Sequence, residues 1–364
     1  PGLNQEIFDA GTAFVEWCNA AGGINGRQIE LNLHDAAITE YQPVMAEACA
    51  SDFAIVGSGA VQDNFWPTAG ADCGLIDIAG FSLTPEKAGV AGQDTLAVRS
   101  VQPLPNPGDR YNVGAYRILA EQFPDAAAHS GTVYADLDSV IFQRDRVVDA
   151  LEQIGHTFVY DAAHNVLGEA NWAPFAAAIQ EADVDFFQFI GEGDNFALLL
   201  QAMDEVGYRP EEMLLETNFY DRTFLETAGE SAEGVYVRTP FWPFEEADQS
   251  PATQQYLDLV EAVDGKVAQL GAQAMSAWVL FAQSARDCDR ADDLTRTCVL
   301  EAAGAVTDWT GGGLHAPTTP GANEPTACTI VLQVQDGAFV RAYPEEGYDC
   351  GEDSAEPYVV SVDP

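Results

Sequence analysis

The sequence predicts an α/β protein of two lobes, each built around a parallel central sheet, joined by a hinge of three chain crossings. Three observations predict it. At 364 residues the chain exceeds the size at which a single core stops growing, so two domains are expected. Strand-like apolar runs alternate with helical stripes, the order that parallel sheets require. The alternation comes as two successive series of comparable size, separated by Val101 to Asp109, where three prolines suit neither helix nor sheet interior.

In chain order, Ile7, Phe8, Gly11, Phe14, Val15 and Cys18 recur at helical spacing, with a stop at Ala21-Gly22-Gly23. Gln28 to Leu33 alternates as a strand. A helix over 42–50, a strand over 53–57, a short helix near Pro67 and a strand over 75–79 complete the first series. The second reads as helix 111–122, strand 131–134, helix 143–154, strand 157–160, helix 172–181, strand 185–190, helix 195–206 and strand 213–216. Val235 to Val237 leads through Thr239 to Pro243 into another crossing. Helices follow at 251–263, 271–286 and 294–304, then the Gly311-Gly312-Gly313 loop and a hairpin around Asp336-Gly337, the dipeptide that favours a two-residue turn. These elements assign 1–103 and 241–315 to one lobe and 109–236 and 328–364 to the other. The crossings fall at 101–109, 237–243 and 311–328.

Composition narrows the function. The net charge of −43, from 58 acidic against 15 basic residues, repels phosphate backbones and anionic lipid, so no nucleic-acid partner is expected. The acids are scattered, as in a solvated surface. No window approaches 18 uninterrupted apolar residues, and no basic segment leads an apolar one; a soluble chain whose export signal has already been removed is expected.

Seven cysteines occur with no CxxC and no Cys/His cluster at ligand spacing, so no metal is expected. Six form local couples, Cys49 with Cys73, Cys288 with Cys298 and Cys328 with Cys350. Disulfides at these pairs imply an oxidising compartment. Cys18 is left as a buried thiol. Enzyme signatures are absent: there is no GxSxG, Walker A, HExxH or complete GxGxxG, and Gly191-Glu192-Gly193-Asp194 reads as a strand-to-helix turn. Asp287, Asp289, Asp292 and Asp293 depart from a calcium loop at its fifth and twelfth positions and read as surface acidity. No cofactor is expected.

The run FVEWCNAAGGINGRQIEL resembles the helix-loop-strand that opens type I periplasmic binding proteins of the branched-chain amino acid (Leu/Ile/Val) receptor family. SDFAIVGSGA, VVDALEQIG, NWAPFAAAIQEADVDFFQFI, LLLQAMDEVGY and AEGVYVRTPFWP follow in that family's order. The resemblance implies two Rossmann-like lobes and a solute cleft at the carboxyl ends of their strands. It implies a non-enzymatic, monomeric receptor that closes on a small molecule and delivers it to an ABC-type membrane permease. It also implies an extracytoplasmic location, periplasmic or at the cell surface, with an anchor to lipid supplied by residues outside this sequence. The alternative is a ligand-sensing domain of a regulatory receptor with the same fold.

Mapped onto this sequence, the ligand-binding candidates are Ser58, Gln62, Asn64, Phe65, Trp66, Phe81, Ser82, Ser139, Phe142, Glu192, Asn195, Asn218, Phe219 and Tyr220. The sequence departs from the amino-acid receptors in three places. Leu83 stands at a threonine position, Ser139 at a tyrosine position, and Thr217 where the acid for a ligand ammonium belongs, with Glu216 beside it facing away. With Phe241 and Trp242, the loop aromatics suggest a neutral or singly charged solute with an aromatic or bulky apolar body. The family also opens with a strand before its first helix, lying in mid-sheet, so residues are expected to precede Pro1.

Overall fold

The computed structural model describes residues 4–90, 96–101, 108–322 and 324–363. Most of the first expected crossing, residues 102–107, lies outside them, as do Pro1-Gly2-Leu3 and Asn323. The chain divides into two compact units. Unit 1 comprises residues up to Arg110 with Phe241–Thr326, and unit 2 comprises Tyr111–Pro240 with Ala327–Asp363.

Unit 1 holds a three-stranded parallel sheet, β1 (Ile55–Val56), β2 (Asp77–Ala79) and β3 (Val98–Ser100), in that spatial order. Its core forms where helices Gln5–Ala20 and Gln269–Arg290 meet: Phe14 stacks on Trp278 with ring centroids 5.6 Å apart. Gly11 permits that approach, since a Cβ there would lie 3.0 Å from Trp278 Nε1. Ala10, Ala13, Phe14 and Cys18 form the buried stripe of the first helix. It ends as expected, with Gly22 and Gly23 at positive φ and the Gly23 N–H donating to Cys18 O at 2.8 Å.

One expected strand of this unit is not formed among the described residues. Gln28 to Leu33 pairs with no strand among the described residues; instead the Asn19 side chain takes both backbone groups of Ile29, each at 2.8 Å. A strand needs a neighbour, and β1 bonds only to β2.

Unit 2 holds β4 (Arg110–Asn112), β5 (Ser130–Ala135), β6 (Phe158–His164), β7 (Phe186–Ile190), β8 (Glu212–Leu215), β9 (Tyr236–Thr239), β10 (Ile330–Gln335), β11 (Ala338–Tyr343) and β12 (Val359–Ser361). Seven of these make one sheet in the order β11-β10-β9-β8-β7-β5-β6, and β12 pairs with β4. Neighbours from β6 to β9 are parallel, while β10 is antiparallel to β9 and to β11. The expected hairpin is there, with Asp336 at φ 51° and Gly337 at φ 75° supplying the two left-handed turn residues.

Two expected boundaries in unit 2 move. Tyr111 lies on β4, and its helix begins at Gly114, because β12 arrives from the far end of the chain to pair with it. The next helix runs Asp138–Gln153, starting five residues before the expected Gln143. That places Ser139 and Phe142 in helical turns, not in a loop. The structure also has strands Val98–Ser100 and Val359–Ser361 and a helix Arg222–Ala228 that periodicity alone does not reveal, each too short for a pattern.

The cysteines pair as the local couples predict: Cys49–Cys73, Cys288–Cys298 and Cys328–Cys350, with Cys18 free and buried. No helix is long and apolar enough to cross a membrane among the described residues.

Candidate functional site

The carboxyl ends of the parallel strands carry the candidate loops in each unit. In unit 1, β1 runs into Gly57 and Ser58. The Ser58 hydroxyl is committed: it donates to Asp77 Oδ2 at 2.7 Å and accepts from Lys87 Nζ at 3.0 Å, while Lys87 pairs with Asp77 at 2.8 Å. Lys87 and Asp77 side chains are each 1% exposed. Lys87 also lies 5.6 Å from the Trp66 ring centroid. The sequence places no lysine in the candidate loops; the fold brings one to Ser58 across 29 positions and neutralises it there.

Around this cluster the remaining unit 1 candidates divide. Trp66 is fully buried, packed with Tyr41, Met45 and Leu75, and its Nε1 donates to Leu96 O at 2.6 Å. Phe81 is buried against Leu83 and Leu270, and Ser82 is buried. Gln62, Asn64 and Phe65 stay half-buried. Asp63, between them, accepts the Leu83 N–H at 2.6 Å; burial pushes its carboxyl up to about 6 against the pull of Lys87.

In unit 2, Ser139 sits in the first turn of the helix after β5, and Phe142 follows one turn on with its ring 5.6 Å from the buried Arg146 guanidinium. Glu192 is the N-cap of helix Gly193–Val206, and Asn195 lies in its first turn beside Gly168, where a Cβ would sit 2.6 Å from Asn195 Oδ1. Asn218 donates to Gly191 O at 3.1 Å and so ties the loops after β7 and β8 together. Phe219 turns into the interior against Phe189, Phe196 and Phe224, and Tyr220 packs edge-on against Phe339 at 4.8 Å. Five of the eight loop aromatics, Trp66, Phe81, Phe219, Tyr220 and Phe241, are therefore core side chains of their own units.

Glu216 faces away from the loop surface, into a buried network. It accepts from Tyr111 at 2.6 Å, Tyr116 at 3.2 Å and Gln188 at 3.1 Å, and pairs with the buried Arg238 at 2.7 Å. Arg238 also donates to Asn112 O, joining β9 to β4. Beside Glu216, Thr217 is fully buried, and its Oγ1 has no hydrogen-bond partner among the described residues; Ser139 Oγ is in the same condition. The acidic run after helix Gln269–Arg290 is occupied by its own neighbours, since Asp289 accepts from Asn25 and Arg27 at 2.9 Å each.

Residues 116–338, more than half of the chain, match the model of a family described as periplasmic binding protein. The chain belongs to that family. As a periplasmic binding protein it is a binding module and not an enzyme, and its fold is that of type I members. It resembles a fatty acid ABC transporter substrate-binding protein from Thermomonospora curvata at 17% identity and TM-score 0.76, over 93% of this chain and 86% of that one. A leucine binding protein from Thermotoga maritima matches at 16% identity and TM-score 0.75, over 95% of both chains. A type 1 periplasmic binding protein from Bordetella pertussis matches at 18% identity and TM-score 0.69, over 92% and 94%. No curated protein matches.

Proposed function

We propose that this periplasmic binding protein captures a neutral or singly charged organic solute outside the cytoplasm and delivers it to an ABC-type permease. The observation that carries the reading is the pair of buried hydroxyls without partners, Ser139 and Thr217, at the carboxyl ends of β5 and β8. A buried polar atom left unpaired costs about 1–3 kcal/mol, a cost recovered when a ligand supplies the partner. A solute with hydrogen-bonding atoms at one end and an apolar body at the other fits these hydroxyls beside the half-buried ring of Phe142. Lys87 does not argue for an anion, because Asp77 already neutralises it. Three disulfides support an oxidising location. The structural neighbours named for a fatty acid and for leucine support transport of a small apolar-bodied molecule.

Native mass spectrometry of freshly purified protein tests the proposal, with a retained small organic mass expected. Thr217→Val keeps the shape and removes the hydroxyl. It is expected to weaken solute binding by about tenfold, a hydrogen bond's worth, while leaving the ligand-free protein equally or more stable. Loss of stability with unchanged affinity overturns the assignment.

A further inference from the structure

Two residues of unit 2 outside the candidate loops bury polar atoms that remain unpaired. His164 ends β6 and is 1% exposed, and Trp172, the N-cap of helix Ala173–Glu181, is 5% exposed. Neither His164 Nε2 nor Trp172 Nε1 has a hydrogen-bond partner among the described residues. The local chain decides what each atom can do. Gly168 N–H donates to Asn165 O at 2.8 Å and Leu167 N–H to Asn165 Oδ1 at 2.9 Å, which fixes a tight turn after His164. The Asn165 carbonyl held by that turn lies 2.7 Å from His164 Nδ1. A carbonyl only accepts, so Nδ1 carries the proton. Burial holds the imidazole pKa below its usual value, so the ring is neutral at neutral pH and Nε2 presents a bare lone pair. The Trp172 indole N–H can only donate.

The surroundings of the two atoms are aromatic. His164 stacks on Phe189 with centroids 5.1 Å apart, Trp172 lies 5.1 Å from His164, and Trp172 and Phe189 are 6.1 Å apart. Gly191, the first residue after β7, adjoins Nε2: a Cβ there would lie 3.2 Å from it and 2.9 Å from Phe189 Cε1. Gly191 also begins the loop that carries Glu192 and Asn195, and Asn218 holds its carbonyl at 3.1 Å. A carboxylate would suit the indole but repel the imidazole lone pair, and a cation would suit the imidazole but repel the indole N–H. A hydroxyl donates to one and accepts from the other through a single oxygen. The 5.1 Å between the rings matches the span of two hydrogen bonds meeting on one oxygen, about 5 Å. We propose that His164 and Trp172 form a buried subsite for one hydroxyl group, carried by a resident water or by the captured solute. The solute arm rests on the reading of this chain as a solute receptor; the water arm stands without it.

Nitrogen-15 NMR of the whole chain tests it in two preparations, one as purified and one stripped by unfolding in urea and refolding with its disulfides intact. The His164 ring is expected to carry its proton on Nδ1 and to show a hydrogen-bonded Nε2. Bonding in both preparations, with magnetisation passing from water to the Trp172 indole proton, assigns a resident water. Bonding only in the preparation as purified assigns the solute's hydroxyl. His164→Phe keeps the stacked ring and removes the acceptor, and is expected to cut the hydroxyl's signal at Trp172 by about tenfold, since the oxygen loses one of its two partners. Trp172→Phe is expected to act reciprocally at Nε2, which keeps the test open if one variant fails to fold. The proposal is overturned by a bare Nε2 in both preparations, by a proton on Nε2, or by scalar coupling that joins the two nitrogens in one direct bond. A bonded Nε2 with no water contact and no change on stripping overturns it too, as does a Trp172 signal indifferent to His164→Phe. A retained organic mass beside a bare Nε2 sinks this inference alone; a resident water with no retained mass sinks the solute reading alone.

Discussion

Glu212 lies on β8 with its side chain buried, and burial alone pushes its carboxyl from 4.5 up to about 8. An unfolded chain releases this proton near pH 4.5, whereas the folded one holds it to about 8, so the folded state binds more protons across that window. Stability therefore falls as pH rises through it. His156 and His315 act with the opposite sign: burial pushes both down to about 4, so their contribution rises with pH up to about 6.5. Asp63, at about 6, shares the sign of Glu212 but is spent below neutrality. Between about pH 6.5 and 8 Glu212 dominates these four. Thermal melts are expected to show a falling midpoint over that interval, and Glu212→Gln, which stays neutral, is expected to flatten it. An unchanged slope in that variant would assign the effect elsewhere.

At the scale of elements, the Cys49–Cys73 bridge fastens helix Tyr41–Ser51 to the turn that precedes β2. Replacing both cysteines by alanine is expected to cost about 3 kcal/mol in urea denaturation, because the unfolded chain recovers the entropy of a closed loop. The hairpin after β10 gives a second element-scale expectation. Gly337 sits at φ 75°, and Gly337→Val forces a branched side chain into the left-handed region, at about 1–2 kcal/mol. Alkylation of the native protein under non-reducing conditions is expected to leave Cys18 unmodified, since it is buried and burial raises its thiol pKa.

For the molecule as a whole, a net charge of −43 makes the compact state repel itself more than the expanded one. Screening shortens that repulsion to about 3 Å at 1 M salt. The melting midpoint is expected to rise steadily between low salt and molar sodium chloride. A flat or falling response would mean that specific ion pairs, such as Lys87 with Asp77, outweigh the general field.

What the sequence determined by itself was local or periodic. Asp336-Gly337 marks its hairpin because only such residues accept two successive left-handed conformations. The cysteine couples lie close enough along the chain to read as bridges, and the helix stripe from Phe8 to Cys18 shows its buried face. Strand-helix alternation gave the α/β class, and the run from Phe14 to Leu31 carried the family resemblance. Tertiary structure decided what depends on distant partners. Phe219 and Tyr220 belong to the core because Phe196 and Phe339 meet them there, which a count of aromatics at loop positions does not show. Ser58 is engaged because Lys87 and Asp77 converge on it, and Glu216 is buried because Arg238 arrives from β9. Gln28 to Leu33 has a strand's alternation but no strand beside it among the described residues, since pairing is a property of two segments and a sequence pattern describes only one.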